Sequence, residues 1–346
     1  MLRSRKTLRN LPAAALALTG LAAGLTACGG SDTAAPAGTT EVVASFYPMA
    51  WLAGQVGGDD VHVRTLTAPG AEPHDLELTA KQVASVQEAP LTVYLKGMQP
   101  AVDDAVQQHA KESSLDVAGA VKTLPPPTEE EGHGHEHEGE GEAGHEHGHE
   151  GEAEAGHEGE AGHEGEAGHD HGDAGYDPHL WLDPSRMATI ATALGDRLAK
   201  VDAENAGEYA SRAQAVAKRL TDLDGKFEDG LATCERKEIV TAHAAFGYLT
   251  DRYGLTQVAI AGVDPSNEPS PARLAELTEH IKEAGATTVF TETLVSPKVA
   301  ETLAREAGVK TAVLDPVEGV EEGSSDDYMT IMNKNLETLR PALGCS

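Results

Sequence analysis

Sixteen histidines occur in this 346-residue chain, and ten of them crowd into one tract, Glu129–Asp173. They are His133, His135, His137, His145, His147, His149, His157, His163, His169 and His171, set among seventeen acidic residues with no Lys or Arg. Neutral imidazole is the commonest protein ligand for borderline metals, so a short His-rich tract of this kind predicts metal binding. Three more histidines stand at positions suited to a fixed site. His74 lies in the loop Ala68-Pro69-Gly70-Ala71-Glu72-Pro73-His74, and His179 lies in Asp177-Pro178-His179-Leu180-Trp181-Leu182-Asp183-Pro184. His243 follows the β-branched run Ile239-Val240-Thr241-Ala242, and Asp315 follows Thr311-Ala312-Val313-Leu314. Three imidazoles and one carboxylate make a four-coordinate N/O set suited to Zn²⁺. His62, His109 and His280 fall within strand or helix patterns and receive no such role.

The elements that must position these residues alternate. In the first half, Val42–Ser45, Val61–Leu66 and Leu91–Leu95 have strand character, and Thr79–Val86 is helical. Asp183-Pro184 opens a helix by an N-cap followed by proline, with Met187, Ile190, Leu194 and Leu198 at helical spacing. A longer helix is predicted from about Ala203 to Leu231, which at ~1.5 Å per residue spans on the order of 40 Å. Strands are then expected at Glu238–Ala242, Gln257–Ala261, Thr287–Thr291 and Lys310–Leu314, with helices starting at Ser270-Pro271 and Ser296-Pro297. Strand–helix alternation predicts an α/β class with parallel sheets. In such sheets ligands bind beyond the carboxyl ends of the strands, which is where His243 and Asp315 fall.

Charge and compartment narrow the setting. The formal net charge is −31, of which the tract supplies seventeen negatives, so the chain is matched to cations and not to nucleic acid. The tract has no large apolar side chain to offset the entropy of ordering, and residues 128–173 are expected to form a disordered loop. At the N-terminus Arg3, Arg5, Lys6 and Arg9 precede an apolar run, Leu11–Leu25, and then Leu25-Thr26-Ala27-Cys28. This pattern predicts a signal peptide over 1–27, with Cys28 in a lipobox-like setting as the lipid-bearing first residue of the mature chain. Residues 28–40, rich in Gly, Ser, Ala, Thr and Pro, read as a flexible tether. Outside the cytoplasm the two other cysteines, Cys234 and Cys345, are expected to pair.

The segments Pro69-Gly70-Ala71-Glu72-Pro73-His74-Asp75, Asp177–Pro184, Val240–Tyr248 and Glu268-Pro269-Ser270 occur in the order found in metal-binding ABC-transporter substrate-binding proteins. The chain resembles the zinc-type branch of that family over essentially its whole mature length. The resemblance implies two α/β lobes, each a mostly parallel sheet flanked by helices: 41–202, a linking helix at 203–232, and 233–346. It implies His74, His179 and His243 as ligands, with Asp315 as the fourth and Glu72 as the alternative carboxylate. It further implies an extracytoplasmic lipoprotein held at the membrane by its lipid, a monomer, that captures Zn²⁺ between the lobes as cargo for an ABC permease and its ATPase. Two other classes remain compatible with the residues: a surface adhesin or zinc-storage lipoprotein, and a zinc hydrolase with water in the fourth position. No nucleophile elbow is present to favour the hydrolase, and the one His-Glu-x-x-His match, His145-Glu146-His147-Gly148-His149, falls inside the tract and outside any predicted helix.

Manganese members of the family carry Glu where this chain has His243, and imidazole favours Zn²⁺ over the harder Mn²⁺. The substitution His243→Glu is therefore expected to weaken zinc binding and strengthen manganese binding. Competition titrations with both metals read the ratio, and an unaltered ratio would remove His243 from the ligand set.

Overall fold

A computed structural model describes residues 38–127 and 175–346. The signal peptide, Cys28, most of the tether and the ten histidines of the tract lie outside the described residues. The first half builds β1 (Thr40–Ala44), α1 (Tyr47–Gly57), β2 (Val61–Thr65), α2 (Ala80–Glu88), β3 (Leu91–Tyr94), α3 (Pro100–His109) and β4 (Ser114–Asp116). After the tract come α4 (Pro184–Val201) and α5 (Ala206–Leu231). The second half builds β5 (Glu238–Thr241), α6 (Gly247–Tyr253), β6 (Thr256–Ala259), α7 (Pro271–Ala284), β7 (Thr288–Thr291), α8 (Lys298–Ala307), β8 (Lys310–Val313) and α9 (Tyr328–Leu343).

Both sheets are parallel and share one topology, β2-β1-β3-β4 and β6-β5-β7-β8. The expected two-lobed α/β fold is therefore present. In each sheet the chain steps outward from the first strand on one side and then crosses to the other. A crevice consequently opens at the carboxyl ends between β1 and β3, and between β5 and β7. Five elements carry no mark in the sequence patterns above: α1, α3, β4, α6 and α9. The two proline-capped helices also differ. Ser270 caps α7 through the Arg273 amide, whereas α8 starts at Lys298 with Pro297 at the cap and no side-chain bond from Ser296.

Each sheet packs its outer face on its own helices. Val43, Val86, Val102 and Val106 fill the layer under α2 and α3, and Val240, Val258, Leu277, Ile281 and Leu303 fill the layer under α7 and α8. The inner faces contribute to one continuous core that contains Val42 and Val93 from the first sheet and Ile239 and Phe290 from the second. Within it α5 buries the stripe Tyr209, Val216, Leu220, Leu223, Phe227 and Leu231 against α4, α1 and α9. A Cβ on Gly195 would meet that of Ala213 at 2.6 Å, so glycine sets how closely α4 approaches α5. Trp51 of α1 stacks on Tyr328 of α9 at 4.7 Å between ring centroids, an aromatic contact that joins the two halves. Lobes sharing an apolar core cannot part widely without exposing it to water.

The chain end is stapled. Cys234, just after α5, is bonded to Cys345, just after α9, as expected from the sequence. The two cysteines face each other in an antiparallel bridge, flanked by hydrogen bonds from Arg236 N–H to the Leu343 carbonyl and from Ser346 N–H to that of Thr233. A bridge across 111 residues of sequence restricts the unfolded chain strongly. Cys345→Ser is expected to cost on the order of 2–5 kcal/mol. Urea unfolding of the parent and variant, each with and without reductant, measures it. A parent midpoint indifferent to reductant would show that the staple carries no stability.

Candidate metal centre

His74, His179 and His243 converge, and the fourth group beside them is Glu318. Their ligand atoms all lie within 4.8 Å of one another. The Glu318 Oε1 stands 3.2 Å from His243 Nε2, 3.4 Å from His179 Nε2 and 3.6 Å from His74 Nε2. Zinc bonds of about 2.0–2.2 Å arranged as a tetrahedron give ligand–ligand edges of roughly 3.3–3.5 Å. The three nitrogen–oxygen separations sit around that length. The Nε2 atoms of His74 and His179 are buried and have no hydrogen-bond partner. Such orphaned acceptors are costly unless a ligand meets them.

Each side chain is placed by an identifiable local device. Two residues beyond β5, His243 is held on every side: its N–H donates to Glu292 Oε1 at 3.0 Å, and its carbonyl accepts from Thr241 Oγ1 and Gln257 Nε2. Its ring Nδ1 lies 2.7 Å from Glu292 Oε2. His179 enters one residue before a 3₁₀ turn, Leu180–Leu182, with its N–H and Nδ1 both directed at Asp177 Oδ1, at 2.9 and 2.8 Å. Asp177 is in turn fixed by Tyr248, whose hydroxyl donates to the Asp177 carbonyl at 2.7 Å. A Cβ on Gly247 would lie 2.5 Å from Asp177 Oδ2, so the Phe246-Gly247-Tyr248 segment must have glycine there.

His74 is less firmly held. Its N–H donates to Glu72 Oε2, and its loop is braced by Gln99 Nε2 on the Pro73 carbonyl and by Gly70 N–H on the Val320 carbonyl. Glu72, expected as the alternative ligand, thus supports the loop and is absent from the four converging groups. Asp75, beside His74, is exposed.

Asp315 is a correction. It too stays outside the group, because both of its oxygens are engaged in shaping the turn after β8. Oδ1 accepts from the Val317 amide at 2.7 Å and Oδ2 from the Thr293 hydroxyl at 3.1 Å, while Asn335 clasps its backbone N–H and carbonyl. Val317 follows with φ at +60°, a region a β-branched residue rarely enters, and this bend precedes Glu318. Trp181 Nε1 donates to the Pro316 carbonyl at 2.7 Å, pinning the same turn to the segment that carries His179. The strand-end rule finds the loop, but the carboxylate that converges with the histidines is Glu318, three residues further on. The discoverable signal is that an Asp two residues before an amide tends to cap its own turn.

The electrostatics are those of a site built for a cation. Burial works against ionising Glu318, but the His243 charge and the three imidazole contacts outweigh it and hold its carboxyl well below the usual range. Burial likewise opposes protonation of His243, yet the Glu292 and Glu318 carboxylates raise its pKa to about 10. For His179, burial is outweighed by the hydrogen bond and charge of Asp177, and its pKa rises.

This fold and centre define a two-lobed α/β metal-binding protein with a three-imidazole, one-carboxylate cluster between its sheets. Residues 42–342 match the family described as ZnuA, zinc-uptake complex component A, periplasmic, and the chain belongs to that family. It is 35% identical over 314 residues to the zinc-binding lipoprotein AdcA of Streptococcus pneumoniae, covering 88% of this chain but only 56% of that relative. The high-affinity zinc uptake system protein ZnuA of Bacillus subtilis is 34% identical over 329 residues, covering 92% of this chain and 93% of that protein. Among solved structures, the Zn(II)-bound ZnuA-like domain of Streptococcus pneumoniae AdcA superposes with a TM-score of 0.68 at 31% identity, covering 88% of this chain and 99% of that one.

Metal binding needs a neutral Nε2 on His243, whereas a pKa of about 10 keeps that ring protonated in the metal-free protein at pH 7. Zinc binding near neutrality is therefore expected to release protons, and zinc affinity should climb as pH rises toward about 10. The linkage sign for folding is opposite. A folded pKa above the ordinary ~6.5 stabilises the metal-free fold fully below that value, and the contribution is lost as pH rises through about 10. Calorimetry in buffers of different ionisation enthalpy reads the proton release. A binding enthalpy independent of buffer would contradict a protonated His243.

Proposed function

We propose that this chain is the extracytoplasmic zinc-binding component of an ABC importer, capturing Zn²⁺ at His74, His179, His243 and Glu318 and delivering it to a membrane permease. The observation that carries the proposal is the convergence of three buried imidazole nitrogens, two of them unpartnered, on one buried carboxylate oxygen. The relatives named for zinc binding and zinc uptake support zinc as the cargo. The family is one of solute-binding transport proteins, which work with ABC permease and ATPase components and are not enzymes, so the hydrolase reading loses its support. We place the mature protein outside the cytoplasm as a monomer tethered through lipid on Cys28. Among the described residues no helix is long and apolar enough to cross a membrane.

The continuous core argues that capture and release proceed by local movement of the loops, chiefly that of His74, and not by wide opening of the lobes. The tract 129–173 serves as a weak, multivalent collector that raises the zinc concentration near the cleft. Its neighbours in sequence are tied together beside the site, since Asp177 N–H donates to the Leu124 carbonyl at 3.0 Å.

All four proposed ligands lie outside the tract, so one tight zinc site is expected to survive deletion of 129–173 while the weaker sites vanish. In that deleted form Glu318→Gln is expected to weaken the tight site by well over tenfold and Asp315→Asn to change it far less. Chelator competition measures both. Loss of the tight site on deletion, or a larger effect at Asp315 than at Glu318, would overturn the assignment.

A further inference from the structure

The register of the second sheet places an additional group beside His243. Phe290 of β7 pairs with Thr241 of β5. Two residues further along each strand, Glu292 and His243 consequently stand side by side at the crevice between the two strands. Glu292 is 6% exposed and His243 fully buried. The carboxylate meets His243 twice, Oε1 at the backbone N–H (3.0 Å) and Oε2 at ring Nδ1 (2.7 Å). An ionised carboxylate only accepts, so its contact keeps a proton on Nδ1, and the proton that a metal displaces is the one on Nε2, which faces the other ligands.

We propose that Glu292 is the positioning residue of the centre: its two oxygens fix the tautomer and direction of the His243 ring and so set the zinc affinity of the site. The inference rests on the reading of His243 as a zinc ligand. Partners that orient a metal-bound imidazole through its other nitrogen typically contribute 10–100-fold in affinity. The geometry here adds a constraint that charge alone does not supply. Each oxygen of Glu292 serves a different N–H. An amide in its place has one oxygen and one NH₂ group, so one of the two contacts must fail. With the NH₂ toward the ring, Nδ1 has to accept, and the proton moves to Nε2, where it blocks the metal.

Asp177 provides the comparison. It also lies against a ligand histidine, but both N–H groups of His179 point at the same oxygen, Oδ1. Asp177→Asn removes a carboxylate charge of the same kind and can keep both contacts on its remaining oxygen. Glu292→Gln cannot.

The test is chelator competition for zinc at pH 7.5 with the full chain carrying Glu292→Gln, Asp177→Asn or His243→Ala, with thermal unfolding of each metal-free protein alongside. Glu292→Gln is expected to weaken tight zinc binding by on the order of 10–100-fold, and Asp177→Asn by a clearly smaller factor. Equal losses in the two variants would assign the effect to charge and overturn the positioning role. Tight zinc retained in His243→Ala would instead overturn the ligand reading beneath it. If Glu292→Gln fails to fold, nitrogen-15 NMR of the unaltered zinc-loaded protein decides. A slowly exchanging proton on His243 Nδ1 supports the proposal, and an unprotonated Nδ1 refutes it.

Discussion

One buried carboxylate oxygen facing two buried imidazoles and a third, half-buried one is the constraint around which this molecule is arranged. Glu318 and His243 have given up water almost completely, and removing a charge from water is tolerated only where opposite charge or a metal replaces it. In the metal-free state the replacement is a proton, held on His243 between Glu318 and Glu292. A dication at this point would replace that proton with a stronger partner. The site is thus poised to compete with protons, and its affinity is tied to pH through the same residues that give it geometry.

Holding four such groups within one coordination sphere requires support from both lobes. His243 comes from the end of β5, Glu318 from the turn after β8, His74 from the loop after β2, and His179 from the segment leading into α4. The shared inner core and the Trp51–Tyr328 contact keep these sources in register. Within that frame the histidines are unequal. Carboxylates hold His179 and His243 at both backbone and ring, whereas Glu72 reaches His74 at its backbone amide. Three of the converging groups are thus held firmly and His74 more loosely.

The interlocking of distant segments explains motifs that look unrelated in the linear chain. Asp177 needs Gly247 for space and Tyr248 for a hydrogen bond, and Trp181 needs the carbonyl of Pro316. Tyr328 in turn donates to the Trp181 carbonyl at 2.6 Å. Aromatic residues beside His179 and His243 therefore act as struts. Their polar ends hold backbone that would otherwise be free to move, while their rings fill the core.

The α/β class, the pairing of two cysteines and three of the four converging groups were legible in the linear chain. The class and the histidines depend on short-range patterns: alternation of strand and helix periodicities, proline-assisted helix starts, and histidines at strand ends or in Pro-bounded loops; the pairing follows from two thiols in a chain expected outside the cytoplasm. The linear chain did not identify the carboxylate. Asp315 and Glu318 are three residues apart in the same loop, and spacing does not say which one turns inward. That choice rests on Val317 bending to a positive φ, on Asp315 spending its oxygens within its own turn, and on Trp181 pinning Pro316 from another segment. Glu292 was equally hidden, because its place beside His243 follows from the register between β5 and β7, strands separated by a strand and two helices in the chain. These points emerge on folding, since each depends on a contact between residues that no local pattern brings together.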